Sequence, residues 1–472
     1  MNATPEKPRG WRFSRAEKIG LSLGLVAVLA FGINLEQRTA LRRTPMTDLG
    51  VFACAAWAVR SGDNPYAISD WHGWHYQYPL TLAILFTPLA HPVPTPPPAL
   101  APGERRTEAN TPWGYPIDGH RHYVGLNTEN TRFFWIVAIW YLISVLLFPL
   151  SAHLLACTLE KQSWLAPPPD EKTKRRRWWA MRWLPLLVCA GSVGTELSRG
   201  QMDVLMLAVI ALGLYLAAQG RDLTAGLCIA FPATIKLFPP LLLLYPIWRR
   251  RWRMTAGMVT GLVVCLAILP AAMLGPKRTV ELYRVWIEVL AKPALGHGTD
   301  TSRARELTSM NATDNQSLLS AIHNWRYYHL SRKQLPAEAA PWERQTAYAV
   351  GALMLAGVGL AARTRRQDSP REMLIIAGLL IGLAFVISPT VHNFYHLLML
   401  PLVAALIERA LRRGSGWKPF VPIIIFMLVD ILFPLPILTH ELRHWGVPLL
   451  SLIYLLCAGA LALGGAKREP GV

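Results

Sequence analysis

The chain is short of charge. Only 16% of its 472 residues are Asp, Glu, Lys or Arg, and 52% are hydrophobic, whereas an ordinary soluble protein is about 25% charged. With 18 tryptophans, that balance excludes a disordered chain and a water-soluble two-domain enzyme, and leaves a polytopic membrane protein. Acid is scarcer than base: 29 Asp+Glu stand against 48 Lys+Arg, for a formal net charge of +19. In a membrane protein such an excess collects in cytoplasmic loops and meets anionic lipid, so nucleic acid is not the implied partner. Cysteine is sparse, at positions 54, 157, 189, 228, 265 and 457. Five of the six lie in or beside apolar runs, as small core residues do, and no spacing suits a disulfide framework or a metal site. A Walker loop and a dinucleotide fingerprint are absent, so nucleotide hydrolysis has no support.

Long apolar runs are what the sequence has instead. Ile19 to Leu35 follows Lys7, Arg9, Arg12, Arg15 and Lys18 and lacks a small-residue cleavage site before Glu36. It reads as a retained first span with its N-terminus inside. Crossing the hydrocarbon takes about 20 apolar residues. Candidate spans are 19–36, 132–157, 183–198, 202–218, 223–248, 254–274, 345–363, 371–388, 393–408, 419–437 and 445–463. Two segments need arbitration: Pro79 to Ala90 is short for a span, and 223–248 is long but interrupted by Lys236 and Pro239-Pro240. If 79–90 does not cross and 223–248 crosses twice, the short basic loops Lys172 to Arg177, Arg249 to Arg253, Arg363 to Arg366, Arg409 to Arg413 and the Lys467-Arg468 tail all face inside. The reverse choice puts Lys172 to Arg177 outside, so we prefer the first. It gives an all-α polytopic protein of about 12 spans.

The chain then divides into a cytoplasmic segment 1–18, a transmembrane module 19–274 with a first outer loop at 37–131, a second outer loop 275–344, C-terminal helices 345–463 and a cytoplasmic tail 464–472. In the first outer loop Leu49, Phe52, Ala56 and Val59 share a helical face, and Gly62 and Pro65 supply a stop. That predicts an amphipathic surface helix, with a second at 79–90. Residues 92–131 carry six prolines by Pro102 and read as an irregular insertion.

Several residues are placed to do chemistry. Asp48 precedes the first surface helix, where it can cap free amides or stand as a carboxylate at an aqueous cleft and take a proton from a hydroxyl. Lys236 lies within hydrophobic sequence; an ammonium at bilayer depth costs about 3 kcal/mol, so it either faces a cavity or bound anion, or snorkels to the interface. In Ser198-Arg199-Gly200-Gln201-Met202-Asp203, Arg199 can pair with Asp203 four residues on or fork onto phosphate oxygens. His392 and His396 are four apart, so one helical face could present both for hydrogen bonding; as a metal signal this pair is weak, and His72/His75 and His120/His122 are weaker. The second outer loop holds Asn315 and Arg326, and the commonplace glycosylation pattern at Asn311-Ala312-Thr313 and Asn315-Gln316-Ser317.

Taken in order along the chain, these tracts resemble glycosyltransferase family 87, integral-membrane enzymes of the C-type glycosyltransferase fold. The likeness rests on Asp48 with Gly62-Asp63-Asn64-Pro65-Tyr66, on Tyr76-Gln77-Tyr78-Pro79-Leu80, on Gly200-Gln201-Met202-Asp203, on Gly226 to Lys236 with Trp248-Arg249-Arg250-Arg251-Trp252, on Asn315-Gln316-Ser317, and on Ser388-Pro389 through His396 to Pro401. The family usually has a second proline after the Tyr-x-Tyr-Pro tract and asparagine where Asp203 stands.

The resemblance implies a polyprenyl-phosphate sugar as donor, often mannose, and a lipid or glycan acceptor at the outer face of the cytoplasmic membrane, with no cofactor and no metal. It further implies inverting transfer with Asp48 as general base, Lys236 and Arg199 on the phosphate, and Gln201, Asp203, Tyr78, Asn315, His392 and His396 around the substrate. The competing class is a lipid or solute transporter or flippase, which also has about a dozen spans, but often shows pseudo-symmetric halves; no internal repeat is visible here.

Overall fold

A computed structural model describes residues 13–39, 47–70, 74–90, 131–236, 239–294, 310, 315–330, 334–336, 338–362, 369–413, 416–433, 442–443 and 445–465. The expected insertion (all but its last residue), the Arg363 to Arg366 loop, the Lys467-Arg468 tail, Asn311-Ala312-Thr313, His72 and the His120/His122 pair lie outside these residues. The regular elements among the described residues are helices, and the one β contact among them is an isolated bridge between Ser69 and His75. Backbone within lipid must satisfy its own hydrogen bonds, which a helix does. We label α1 Arg15–Arg38, α2 Leu49–Ser61, α3 Leu80–Phe86, α4 Thr131–Glu160, α5 Lys172–Val188, α6 Ala190–Arg199, α7 Asp203–Ala218 and α8 Asp222–Ile235.

Six described helices are long and apolar enough to cross a membrane, against the 12 spans expected: Arg15–Arg38, Phe133–Glu160, Trp252–Leu274, Pro341–Ala362, Pro370–Ile387 and Asn393–Arg412. Helices α7 and α8 are shorter because their apolar runs stop at polar residues. The backbone leaves α8 at Lys236, which is extended (φ −127°, ψ 144°), and α7 starts only at Asp203. Burial ranks the long helices: 83% of Pro370–Ile387 and 89% of Asn393–Arg412 are inside the protein, but only 6% of α1. The first pair is therefore the core of the bundle, and α1 presents its apolar surface to lipid.

Ion pairs gather the basic loops on one face. Buried Glu408 takes Arg177 at 3.4 Å, Arg371 at 2.6 Å and also Arg412. This ties the start of α5, the start of Pro370–Ile387 and the end of Leu400–Arg413 together. Arg249 donates to the carbonyl of Ala362 at 2.6 Å, and Arg251 pairs with Asp222. Because Asp222 begins α8 and Arg251 follows Trp248, segment 223–248 returns to the face it left. Helix α3 has seven residues, about 10 Å of length at 1.5 Å per residue, too short to cross. Segment 79–90 thus holds no helix of crossing length, and 223–248 returns to the basic face although α8, with 14 residues, is itself shorter than a span.

Helix α2 forms where expected but not as a one-sided surface helix. Every residue from Leu49 to Val59 is buried, and its ring at Phe52 packs on Tyr78 and Phe86. The other faces carry Val51, Ala53, Cys54, Ala55, Trp57 and Ala58, and a helix that is apolar all round belongs inside.

The placement of Lys236 depends on a close crossing of α8 with Trp252–Val263. A Cβ on Gly226 would strike the backbone of Met254 and Met258, and one on Gly257 the carbonyl of Leu223. Overpacking of this kind costs about 1–3 kcal/mol. Gly226→Leu is expected to lower the unfolding midpoint in detergent; an unchanged midpoint would show that the crossing tolerates a side chain.

Candidate functional site

At the end of the bundle opposite the basic loops, α6 stops at Gly200, whose φ of +65° suits glycine. The turn brings the Arg199 carbonyl to the amide of Asp48 at 2.8 Å and to the Thr47 hydroxyl at 3.1 Å. A Cβ at position 200 would meet the side chains of Thr47 and Leu49. Glycine is thus needed twice over, for the turn and for the approach of the first outer loop. Asp48 occupies the N-cap position of α2 but makes no side-chain capping bond. Its carboxylate instead accepts a hydrogen bond from Gln201 Nε2, and the residue is half-buried. Burial raises the Asp48 pKa above its ordinary value, opposed by the Arg199 charge, the Gln201 hydrogen bond and the Lys236 charge. The direction makes Asp48 a stronger base than a free carboxylate wherever it is ionised.

Gln201 also faces Lys236. The Lys236 ammonium donates to Gln201 Oε1 at 3.3 Å and to Asp203 Oδ2 at 2.6 Å. It lies 4.2 Å from the centroid of the Tyr395 ring, 5.2 Å from that of Phe394 and 5.9 Å from that of Tyr78. With only 4% of Lys236 exposed, the side chain does not snorkel. Its partner is Asp203, so the Arg199–Asp203 pairing open in the sequence is replaced by a pair between residues 33 apart. Glu196 completes the group: its Oε1 accepts the amides of Asp203 and Val204, where a helix start favours an acid. Buried Glu196 Oε2 and Asp203 Oδ1 have no hydrogen-bond partner among the described residues. Glu196, Phe394 and Tyr395 are the members that sequence reasoning missed; an acid inside an otherwise apolar run was the available signal for Glu196.

The remaining candidates divide. The Tyr78 hydroxyl reaches Gln201 Oε1 at 3.5 Å, and His392 stacks on Phe394 with ring centroids 5.2 Å apart, so both border the Lys236 chamber. His396 turns the other way, buried against Phe426. The two histidines do not share a face because Asn393–Met399 is a 3₁₀ segment entered from an extended His392, and three residues per turn separate positions that an α-helix would align. Asn315 binds backbone: it accepts from Ser317 and Val391 and donates to the carbonyl of Pro389 at 3.1 Å. It fastens the second outer loop to the Ser388-Pro389 tract. Arg326 pairs with Glu343 at 3.1 Å, away from this group.

Among the described residues no three His, Cys, Asp or Glu side chains converge as a metal site requires. Two further catalytic-type patterns occur in the sequence. Gly20-Leu21-Ser22-Leu23-Gly24 has the GxSxG form but lies within helix α1, where no strand-to-helix elbow exists. His440-Glu441-Leu442-Arg443-His444 has the HExxH form, and of it only Leu442 and Arg443 fall among the described residues.

Fold and site together define an all-helical membrane protein whose acid and base groups converge at the end of the bundle away from its basic loops. Residues 76–389 match glycosyltransferase family 87, and the chain belongs to that family. No match was found among curated proteins or among solved structures. The protein is therefore a membrane glycosyltransferase, working between a sugar donor and an acceptor, and this sets the transporter reading aside. The matched stretch contains Tyr78, Arg199, Gln201, Asp203, Lys236 and Asn315, whereas Asp48, His392 and His396 flank it.

Breaking a buried ion pair by removing one partner costs about 3–5 kcal/mol. Lys236→Met, which strands Asp203, is expected to lower the unfolding midpoint in detergent, and Lys236→Met/Asp203→Asn to recover most of that loss. If the single and double variants melted together, the pair would not be part of the site's framework.

Proposed function

We propose that this enzyme transfers a hexosyl group, mannosyl foremost, from a polyprenyl-phosphate sugar to a lipid or glycan acceptor at the outer face of the cytoplasmic membrane. The observation that carries the reading is the Gln201 bridge: one side chain donates to the Asp48 carboxylate and accepts from the Lys236 ammonium. A proton acceptor and a phosphate-binding cation are thereby held one side chain apart. That is the spacing a single displacement at a sugar phosphate requires.

In the proposed step Asp48 takes the proton of the acceptor hydroxyl as its oxygen attacks the anomeric carbon. The bond from that carbon to the phosphate oxygen breaks, and polyprenyl phosphate leaves with the electron pair. An ammonium has three N–H donors, and Asp203 and Gln201 engage two of them on Lys236. The third is directed to the departing phosphate, with Arg199 adding charge from the Asp48 side. Direct attack inverts the anomeric configuration. A lipid-linked donor suits a site at this end of the bundle, since with the basic loops inside it opens away from cytosolic nucleotide sugars.

The test is transfer of label from radiolabelled polyprenyl-phosphate sugars into glycolipid or glycan of a membrane extract. Asp48→Asn is expected to lower the rate about 100- to 10,000-fold; a rate near that of the wild type would remove the base. The active form of Asp48 is the carboxylate, so the rate should fall as pH drops through its raised pKa. The acid limb of the profile then lies above the ordinary Asp value of about 4 and is absent from the residual activity of Asp48→Asn. Donor binding is best compared between Asp203→Asn and Lys236→Met/Asp203→Asn, which leaves no orphaned Asp203 carboxylate. Weaker binding in the second is expected, and equal binding would take the phosphate away from Lys236.

A further inference from the structure

Along the length of α7, from Leu205 near its start to Arg221 beyond its end on the basic face, α4 and α7 line a groove of about 710 Å³, within the range of roughly 300–1,000 Å³ typical of ligand pockets. Its walls are apolar, with Leu147, Leu150 and Leu154 on α4 and Leu205, Val209 and Leu212 on α7. Its mouth is polar and cationic: Lys161 and Arg221 line it beside Trp164 and Tyr215, and the Trp164 amide donates to the Tyr215 hydroxyl at 3.2 Å. Among the described residues no carboxylate lines the groove. The nearest acids in sequence are already paired, Glu160 with Arg182 and Asp222 with Arg251. Lys161 and Arg221 are exposed and have no ion-pair partner among the described residues.

We infer that this groove binds a two-chain anionic glycerophospholipid from the leaflet on the basic face. Length supports an acyl chain: Leu205 to Leu216 covers about 16 Å of helix at 1.5 Å per residue, close to half of a hydrocarbon core about 30 Å thick. Charge supports an anionic headgroup, since basic pockets between helices on the cytoplasmic side select such lipids. Trp164 and Tyr215, which line the groove beside the two cations, are of the ring types enriched at membrane interfaces. The lipid seals the α4–α7 seam with its headgroup at the Arg221 end, and α7 is the helix whose other end carries Asp203.

Native mass spectrometry of the full-length protein in detergent, titrated with dioleoyl-phosphatidylglycerol or dioleoyl-phosphatidylcholine, tests the inference. The wild type should retain phosphatidylglycerol over phosphatidylcholine by about tenfold or more, with two cations contributing. Lys161→Glu/Arg221→Glu should abolish that preference, and Leu212→Trp, which narrows the groove, should lower retention of both lipids. Lys172→Glu/Arg176→Glu, a charge reversal elsewhere on the same face, should leave the preference intact. Equal retention of the two lipids by the wild type, an undiminished preference in Lys161→Glu/Arg221→Glu, no effect of Leu212→Trp, or an equal loss in the Lys172→Glu/Arg176→Glu control would each overturn it.

Discussion

A buried ammonium has to be given a fixed counter-charge, and the structure around the site follows from that requirement. Lys236 is held by Asp203, Asp203 by the start of α7, and the start of α7 by Glu196 on α6. Gln201, on the turn between α6 and α7, joins this group to Asp48. Three elements far apart in sequence are thereby committed to one geometry: the entrance to α2, the α6–α7 turn and the end of α8. Taking these charges out of water is expensive unless each finds a partner, so the polar chain also specifies how the helices meet.

The bundle is arranged to keep that chemistry at one end. The same helices that present Asp203, Lys236 and Ser388 on one face end in the Arg251–Asp222 and Arg371–Glu408 pairs on the other. Aromatic rings from 394 and 395 close over the ammonium, lowering the local dielectric and strengthening its interaction with any anion that enters. Under the proposed function, this chamber is where a donor's leaving group and an acceptor's hydroxyl meet with little water between them.

Much of this was legible in the sequence. Charge placed the described basic loops on one face, because Lys and Arg in short loops obey a simple rule. Asp48 and Lys236 stood out because each is a charge at the edge of apolar sequence. Their partners were not legible: helical spacing offered Arg199 for Asp203, while the actual cation is contributed by another helix 33 residues on. Hydropathy counted more spans than there are described helices of crossing length, in part because α7 and α8 stop at the polar site instead of running through it. The burial of α2 was written in its small apolar residues on every face, which a search for one apolar stripe passes over. The separation of His392 from His396 depended on a 3₁₀ segment that their spacing does not disclose.

The most direct measurement is an experimental structure with a non-transferable phosphonate analogue of a polyprenyl-phosphate hexose bound. The account predicts the phosphonate oxygens within about 3 Å of the Lys236 ammonium, the anomeric carbon on the Asp48 side of Gln201, and the prenyl chain leaving toward lipid. An analogue seated on the basic face, or one bound with Lys236 still enclosed by Asp203 and Gln201 and out of reach of the phosphonate, would contradict it.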